Sequence, residues 1–250
     1  MSPAEPLRVG VLSLARPTFD VPFAEQVCAD AWKLMEQIPV DWVGSGELLF
    51  DAESVESQLT KLKKKPIDLL LIMQLTFTDA TMTVKIAESF DVPLLFWSFP
   101  EKRTGGRLRL NSLCGVNLAA HALGKSGIQC DYINLSPNDP ETSEDLSSWI
   151  RAFQTRKNLS STKIAVIGKH PDGFHTCAFD SGKLKEISGV TVEQMELTDL
   201  FDEAEKIEQK TVNLIRSELD SKINGLELVE QEPLEKSIRI LSTLRKKAES

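Results

Sequence analysis

The chain has 250 residues, of which 41% are hydrophobic and 26% are charged, and its formal net charge at pH 7 is −8. These proportions are typical of a globular protein with one large or two small domains. The negative net charge argues against a general nucleic-acid or anionic-membrane binder, and no apolar run approaches the roughly 20 residues that a membrane-spanning helix needs.

The N-terminal segment MSPAEPLR lacks the apolar region of a signal peptide. The four cysteines are far apart in the sequence and form no CxxC pair, which indicates reduced, mostly buried thiols rather than a disulfide framework. Together these features predict a cytoplasmic protein.

Short apolar runs alternate with amphipathic segments through the first part of the chain, which predicts strands and helices in turn. The run IDLLLIM is apolar on both faces, as in a parallel strand covered by helices on both sides. This alternation of strands and helices predicts an α/β fold with a doubly wound, parallel, five-stranded, flavodoxin-like sheet. The predicted strands are 7–14, 39–44, 67–73, 92–99 and 128–135; the predicted helices are 23–37, 53–64, 78–90, 112–126 and a fifth ending near Arg156.

The polar segment TRKNLSST predicts a linker, after which strands and helices alternate again. Its predicted elements are a strand at 163–168, a helix at 174–184, a strand at 190–197, a long helix at 199–220 capped by Thr198, and a helix at 233–248. Two strands cover helix faces poorly, so this second α/β unit is expected to be incomplete. It could be completed by another chain, be an appendage of the first unit, or be part of a longer protein, which we favour. The predicted domains are 1–157 and 158–250.

Ligands of open α/β sheets bind beyond the carboxyl ends of the strands, where four loops of this chain are expected. Two of them, ARPTFD and QLTFTD, combine polar side chains with an aromatic ring, a combination that suits a polyol ligand. The alternative is that these are ordinary turn and capping residues. The third and fourth loops are EKRTGGRLRLNS and GKHPDGFHTC.

The third loop places Lys102, Arg103, Arg107 and Arg109 around a glycine pair, directly before a predicted helix. With the amide groups of the helix start, these cations could hold an anion. Alternatively, the loop contacts a neighbouring subunit, or it is simply solvated. The phosphate-binding patterns GxGxxG and GxxxxGK[ST] are absent, so no nucleotide site is expected.

The fourth loop contains His170, His175 and Cys177, whose spacing is not a familiar metal-ligand pattern. We favour a turn before a helix, with Phe174 directed into a cleft or core. The three histidines of the chain support no Ser/His/Asp or Cys/His catalytic set.

The order of these segments resembles the L-fucose/L-arabinose isomerase superfamily. The resemblance is carried by VGVLSLARPTFD, LLLIMQLTFTDATM, LLFWSFPEKRTGGRLRLNSLCGVNLAAHAL, KIAVIGKHPDGFHTCAFDSGKL and GVTVEQMELTDLF. It implies an N-terminal α/β domain, a middle α/β domain and a C-terminal β-rich domain, together interconverting aldoses and ketoses at a divalent metal, usually manganese. Only the first domain and the front part of the second are represented, so the Mn²⁺ ligands and the acid/base carboxylates are expected outside this chain.

The resemblance also implies site residues. Phe77 matches an aromatic residue of the sugar pocket, Arg16 and Ser112 (beside Asn111) lie near positions where the arabinose branch carries glutamines, and Phe174 lies near a pocket-lining segment. The departures at Arg16 and Ser112 put arabinose itself in doubt, and Arg103 and Arg107 suggest a sugar with an anionic group, or a subunit contact.

We therefore expect the front portion of an aldose–ketose isomerase that binds a small-molecule sugar, works as a homo-oligomer, and has no nucleic-acid or membrane partner. The alternative is a stand-alone, non-catalytic sugar-binding or assembly module of the same ancestry. A weaker alternative is a hydrolase or lyase that uses His170 and His175.

Overall fold

The computed structural model describes residues 5–249, which form two compact units, 5–157 and 158–249. The first four residues of MSPAEPLR therefore lie outside the described residues, as does residue 250. Over the described range, no helix combines the length and apolarity needed to cross a membrane.

Five strands and five helices alternate in the first unit, as predicted. The strands are β1 (Arg8–Leu14), β2 (Asp41–Leu49), β3 (Leu69–Gln74), β4 (Leu94–Ser98) and β5 (Asp131–Asn134). The helices are α1 (Val21–Met35), α2 (Ala52–Leu62), α3 (Thr81–Glu88), α4 (Ser112–Lys125) and α5 (Thr142–Ser160).

The sheet of the first unit is parallel, with strand order β2-β1-β3-β4-β5. This confirms the predicted flavodoxin-like order. Every residue of β3 is buried. Its alternate residues belong to two separate cores: Leu71 packs with side chains of α1 and α5, whereas Ile72 packs with side chains of α2, α3 and α4. The sheet is therefore doubly wound, which explains why β3 is apolar at successive positions.

Local sequence signals fix several helix ends in this unit. Asp20 caps α1 by accepting a hydrogen bond from the Phe23 amide, and Asp51 with Ser54 forms a capping box at the start of α2. The end of α4 is followed by Gly127 with φ +72°, a left-handed conformation that glycine adopts without steric cost.

The second unit contains a two-stranded parallel sheet of β6 (Lys163–Ile167) and β7 (Thr191–Met195). Its helices are α6 (Ser181–Ser188), α7 (Leu197–Glu205), α8 (Gln209–Asp220) and α9 (Gln231–Glu249). A small core forms where Val212 and Ile215 of α8 meet Ile238 of α9, together with Ile207. This small sheet agrees with the incomplete α/β unit expected from the sequence.

Three predictions for elements near or within the second unit were wrong. Most of the predicted linker is helical, because α5 continues to Ser160. The helix predicted over 174–184 is instead a 3-10 turn at His175–Cys177 followed by α6, whose start is fixed by Asp180 as its cap. The helix predicted over 199–220 is broken into α7 and α8.

The break between α7 and α8 has a tertiary cause. Ile207, between the two helices, is buried, and its carbonyl accepts a hydrogen bond from the Arg239 guanidinium of α9. The cap of α7 is Glu196 rather than Thr198, which lies inside the helix.

Candidate functional site

The carboxyl ends of four neighbouring strands bring one row of residues together. Leu14 pairs with Gln74, Gln74 with Ser98, and Ser98 with Asn134 across β1, β3, β4 and β5. Because β2 and β3 flank β1 on opposite sides, the β1/β3 edge is the point where the strand order reverses. Ligands of open α/β sheets bind at this kind of edge.

The segment 109–112, directly before α4, ties the loops after β1, β3 and β4 together. The Asp20 amide donates to the Arg109 carbonyl at 3.1 Å, and the Phe77 amide donates to the Leu110 carbonyl at 2.8 Å. The buried Ser112 hydroxyl donates to the carbonyl of Gln74, while it accepts a bond from the amide of Phe99 at 2.9 Å. Three separate loops therefore share one rigid framework.

Glu101 holds the other side of this segment. Its carboxylate accepts backbone N–H bonds from Arg109 at 2.5 Å, from Leu110 at 3.0 Å and from Asn111 at 2.7 Å. Asn111 itself has a left-handed backbone with φ 53°, which non-glycine residues adopt only at some cost. An internal carboxylate therefore occupies the three amides directly before α4, whereas the anion site considered in the sequence analysis involved the amides at the start of the helix itself.

The four cations of this loop are not equivalent. Arg109 pairs with Asp20 at 2.7 Å and lies 3.8 Å over the Phe23 ring. Its hydrogen bond holds the pKa of Asp20 below the ordinary value. Arg107 donates to the Thr18 carbonyl at 3.1 Å, with its guanidinium carbon 5.1 Å from the centre of the Phe19 ring.

The other two cations of the loop are unpaired within the described residues. Lys102 and Arg103 are exposed and have no hydrogen-bond or ion-pair partner among residues 5–249. Their positive charge is therefore available to a ligand or a partner.

Two aromatic rings lie side by side at the β1/β3 edge. Phe19 and Phe77 have ring centres 6.2 Å apart, and both are half-buried. Their remaining exposed surface offers an apolar patch among hydrogen-bonding groups, the combination expected for the less polar face of a sugar ring.

Arg16 points to a different cleft from the cationic loop. Its guanidinium pairs with Asp79 at 2.9 Å, and its amide donates to the Thr76 hydroxyl at 2.7 Å. Hydrogen bonds from Thr81 are the main cause of a lowered pKa at Asp79. Arg16 and Asp79 line a cleft of about 240 Å³ beside the starts of α2 and α3.

A second cleft, which we call the α4 cleft, lies between the cationic loop and the start of α4. It has a volume of about 410 Å³. The residues around it are Phe99, Pro100, Glu101, Arg103, Leu108, Asn111, Ser112, Leu113, Cys114, Asn117 and Asn134. Three of the predicted site residues, Arg103, Asn111 and Ser112, therefore meet in one cleft.

The other predicted residues are placed elsewhere. Phe77 contacts Phe19, Arg107 lies over the same Phe19 ring, and Arg16 lines the smaller cleft. Phe174 belongs to the second unit, where its side chain is 57% exposed. The substrate-binding roles of these residues stay predictions. For Ser112, the geometry adds that both hydrogen-bonding roles of its hydroxyl are already used within the fold.

No metal-binding set is present in the part of the chain that the structure describes. Groups of three or more His, Cys, Asp or Glu side chains arranged to hold a metal ion are absent from residues 5–249. His170, His175 and Cys177 are all exposed, and the His170 Nδ1 lies 3.1 Å from the Pro171 carbonyl oxygen. The residues present therefore do not provide a manganese site by themselves.

The sequence analysis missed Glu101 and Asn134, and it considered Gln74 only as one polar residue of the loop QLTFTD. Gln74 is fully buried; its amide nitrogen donates to the Thr76 carbonyl at 2.7 Å and to the Thr78 hydroxyl at 3.0 Å, which fixes the loop carrying Phe77. A polar residue ending an otherwise apolar strand was the available signal for Gln74, whereas Asn134 ends a strand that already begins with Asp131 and offers no such contrast. Nothing local distinguishes Glu101 from a solvated acidic residue.

Comparison with known proteins identifies the family. Residues 10–160, more than half of the chain, match the model of the fucose/sulfoquinovose isomerase N-terminal domain. Similar proteins include three sulfoquinovose isomerases: one from Priestia aryabhattai is 30% identical over 79% of this chain and 44% of its own length. One from Alkalicoccus urumqiensis is 29% identical over 82% and 46%, and one from Clostridium sp. (strain MSTE9) is 28% identical over 88% and 49%.

The chain thus spans less than half the length of these relatives. The family match covers the sheet of the first unit except the first two residues of β1, and all three loops that the 109–112 segment joins. The resemblance drawn from the sequence is confirmed: the chain belongs to the fucose isomerase-like superfamily and contains a fucose/sulfoquinovose isomerase N-terminal domain.

Proposed function

We propose that this chain is the N-terminal portion of an aldose–ketose isomerase whose substrate is a sugar carrying a sulfonate group, as in sulfoquinovose. The observation that carries the proposal is the position of the cationic loop, at the ligand-binding edge of a sheet that belongs to this family. Unpaired cations at this edge suit a sugar with an anionic group better than a neutral one.

In this proposal the chain orients the sugar and does not transfer the proton. The Phe19 and Phe77 rings cover a less polar face of the sugar, and the cationic loop holds its charged end. Orientation of this kind lowers the barrier by limiting the freedom of the reacting groups. Manganese and the acid/base carboxylates would come from residues outside this chain, and we assign no step to them.

The proposal includes a homo-oligomer in the cytoplasm, as the family resemblance suggests, and no membrane or nucleic-acid partner. Sedimentation of the protein from the complete gene would test the first point. The comparisons give no support to a stand-alone binding module.

Isomerisation of a sulfonated aldose by the protein from the complete gene is the direct test. Carbon NMR would follow conversion of the aldose to its ketose with manganese present, beside D-glucose and L-fucose as uncharged comparisons. We expect conversion of the sulfonated sugar to be strongly preferred. Equal conversion of the uncharged sugars would contradict the assigned substrate class, and no conversion of any aldose would contradict the isomerase.

A further inference from the structure

The four cationic side chains of the loop differ in their intramolecular partners. Those with a partner hold the loop in place, and those without one are free to bind a ligand. Arg109 is neutralised by Asp20, and Arg107 is engaged by the Thr18 carbonyl and the Phe19 ring. Of the two unpaired cations, only Arg103 lines the α4 cleft; Lys102 does not. Arg103 is therefore the one cation of the loop that lines the α4 cleft and has no partner among the described residues.

The backbone amides of the segment directly before α4 are not free to bind an anion. The N–H groups of residues 109–111 donate to Glu101, which also lines the cleft. These bonds offset part of the Glu101 charge and use the lone pairs that face the segment. A negatively charged ligand must therefore be held by side chains or by the first-turn amides of α4, which Asn111 does not cap.

Three asparagine side chains supply the remaining donors. The Ser98 hydroxyl donates to Asn134 Oδ1 at 2.9 Å, which directs the carbonyl end of that amide to the sheet. Its Nδ2 group has no hydrogen-bond acceptor within the described residues, and it borders the cleft. The side chain of Asn111 does not cap α4, and Asn117 is exposed on the next turn; both also line the cleft.

A guanidinium and amide N–H donors that line the same cleft suit a compact anion with several equivalent oxygens. Arginine binds such groups through two parallel N–H bonds, and neutral amides add bonds without repelling the charge. A sugar hydroxyl, in contrast, would leave the guanidinium charge unmatched.

We infer that the α4 cleft is the sulfonate subsite, in which Arg103 binds the charged group and Asn111, Asn117 and Asn134 donate hydrogen bonds to its oxygens. Arg107 and Arg109 are positioning residues that hold the loop in place. This inference rests on the proposed function, and it assigns substrate selectivity to one arginine of the four cations.

The first test uses this chain and methanesulfonate, followed by proton–nitrogen NMR. We expect saturable shifts at the side-chain amides of Asn111, Asn117 and Asn134. Arg103→Gln should weaken binding about tenfold, the loss expected for one charge-assisted contact worth roughly 1.4 kcal/mol. Lys102→Gln removes the same charge from the neighbouring position and should change affinity less than twofold.

Several results would overturn the assignment. Equal losses in the two variants would mean that only the diffuse charge of the loop attracts the anion. Shifts elsewhere in the chain, or none at these amides, would mean that the cleft does not bind it. A changed oligomeric state of Arg103→Gln without a change in methanesulfonate affinity would assign Arg103 to a subunit contact.

A second test separates this inference from the proposed function. In the protein from the complete gene, Arg103→Gln should raise KM for the sulfonated aldose and leave kcat nearly unchanged, because the sulfonate is remote from the reacting carbons. If the parent protein isomerises the sulfonated sugar but the variant keeps its KM, the subsite is wrong and the function stands. If methanesulfonate binds as expected but no sulfonated sugar is isomerised, the function is wrong and the subsite stands.

Discussion

Replacing the Glu101 carboxylate by an amide tests whether the 109–112 segment is held as described. In Glu101→Gln one of the two oxygens becomes an NH₂ group. One oxygen now faces the amides of Leu110 and Asn111, and the other faces those of Arg109 and Leu110. Whichever way the glutamine turns, at least one backbone N–H meets another donor instead of an acceptor.

The expected cost follows from the bonds that are lost. A hydrogen bond to a charged group contributes roughly 1.5–3 kcal/mol, with the low end applying to partly exposed groups such as these. Glutamine keeps one acceptor oxygen, so one of the three amides loses its bond and the bonds to the other two are no longer charge-assisted. We expect a loss of about 2 kcal/mol in the free energy of unfolding, or about 1 M in the urea midpoint at an m-value of roughly 2 kcal/mol/M.

Tryptophan fluorescence is the suitable assay, because it reports on the first unit alone. All four tryptophans, Trp32, Trp42, Trp97 and Trp149, lie in that unit. Glu88→Gln is the matched control: this glutamate is exposed on α3, and the structure gives it no hydrogen-bond or ion-pair partner. Its urea midpoint should stay within about 0.2 M of the parent value, as for most surface substitutions.

An unchanged urea midpoint in Glu101→Gln would refute the reasoning, since it would mean that the three amides find equally good acceptors elsewhere. Amide proton shifts give an independent check. In the parent protein the Arg109, Leu110 and Asn111 amides should be shifted downfield by the carboxylate, and the substitution should move these three resonances most.

Two further predictions concern other contacts. Ser112→Ala leaves the buried Phe99 amide without its acceptor and the Gln74 carbonyl without its donor, so we expect a loss of about 2 kcal/mol by the same fluorescence assay; a change below about 0.5 kcal/mol would mean that water replaces the hydroxyl. In the second unit, hydrogen bonds led by that from Arg245 lower the pKa of Glu218 from 4.5 to about 2. The folded state therefore favours the ionised form, and its stabilising effect should be complete above pH 4.5 and lost as the pH falls towards 2. Hydrogen exchange of α8 and α9 over this range would show it, and Arg245→Gln should reduce the pH dependence.

The sequence predicted the sheet well because its signals are local. A strand formed by a continuous apolar run such as 67–73 is stable when helices cover both of its faces. The strand order and the helical layers could therefore be predicted from the alternation of apolar runs with amphipathic segments. The position of the ligand edge followed from the same topology.

The errors arise where distant residues decide the outcome. Neither glycine nor proline marks the break at Ile207, which depends on burial and on Arg239 from another helix. The polar residues after Phe153 look like a linker, although they form the solvated turns of α5. The contacts of Glu101 and the position of Arg103 at the α4 cleft depend on how an irregular loop folds back on itself, for which no sequence periodicity exists.

The contacts that join the loops around the site are made largely by main-chain atoms. Any residue except proline at positions 20 and 77 can donate the bonds to the carbonyls of Arg109 and Leu110. Between Glu101 and Arg109, Gly106 has nothing within 4 Å of where a side chain would begin, whereas Gly105 has φ +81°, a conformation in which other residues are strained. Substitutions at the exposed positions of this short stretch other than Gly105 can therefore alter its charge while the framework persists. Under the proposed function such a change alters substrate preference, which makes this loop the natural place to begin engineering selectivity.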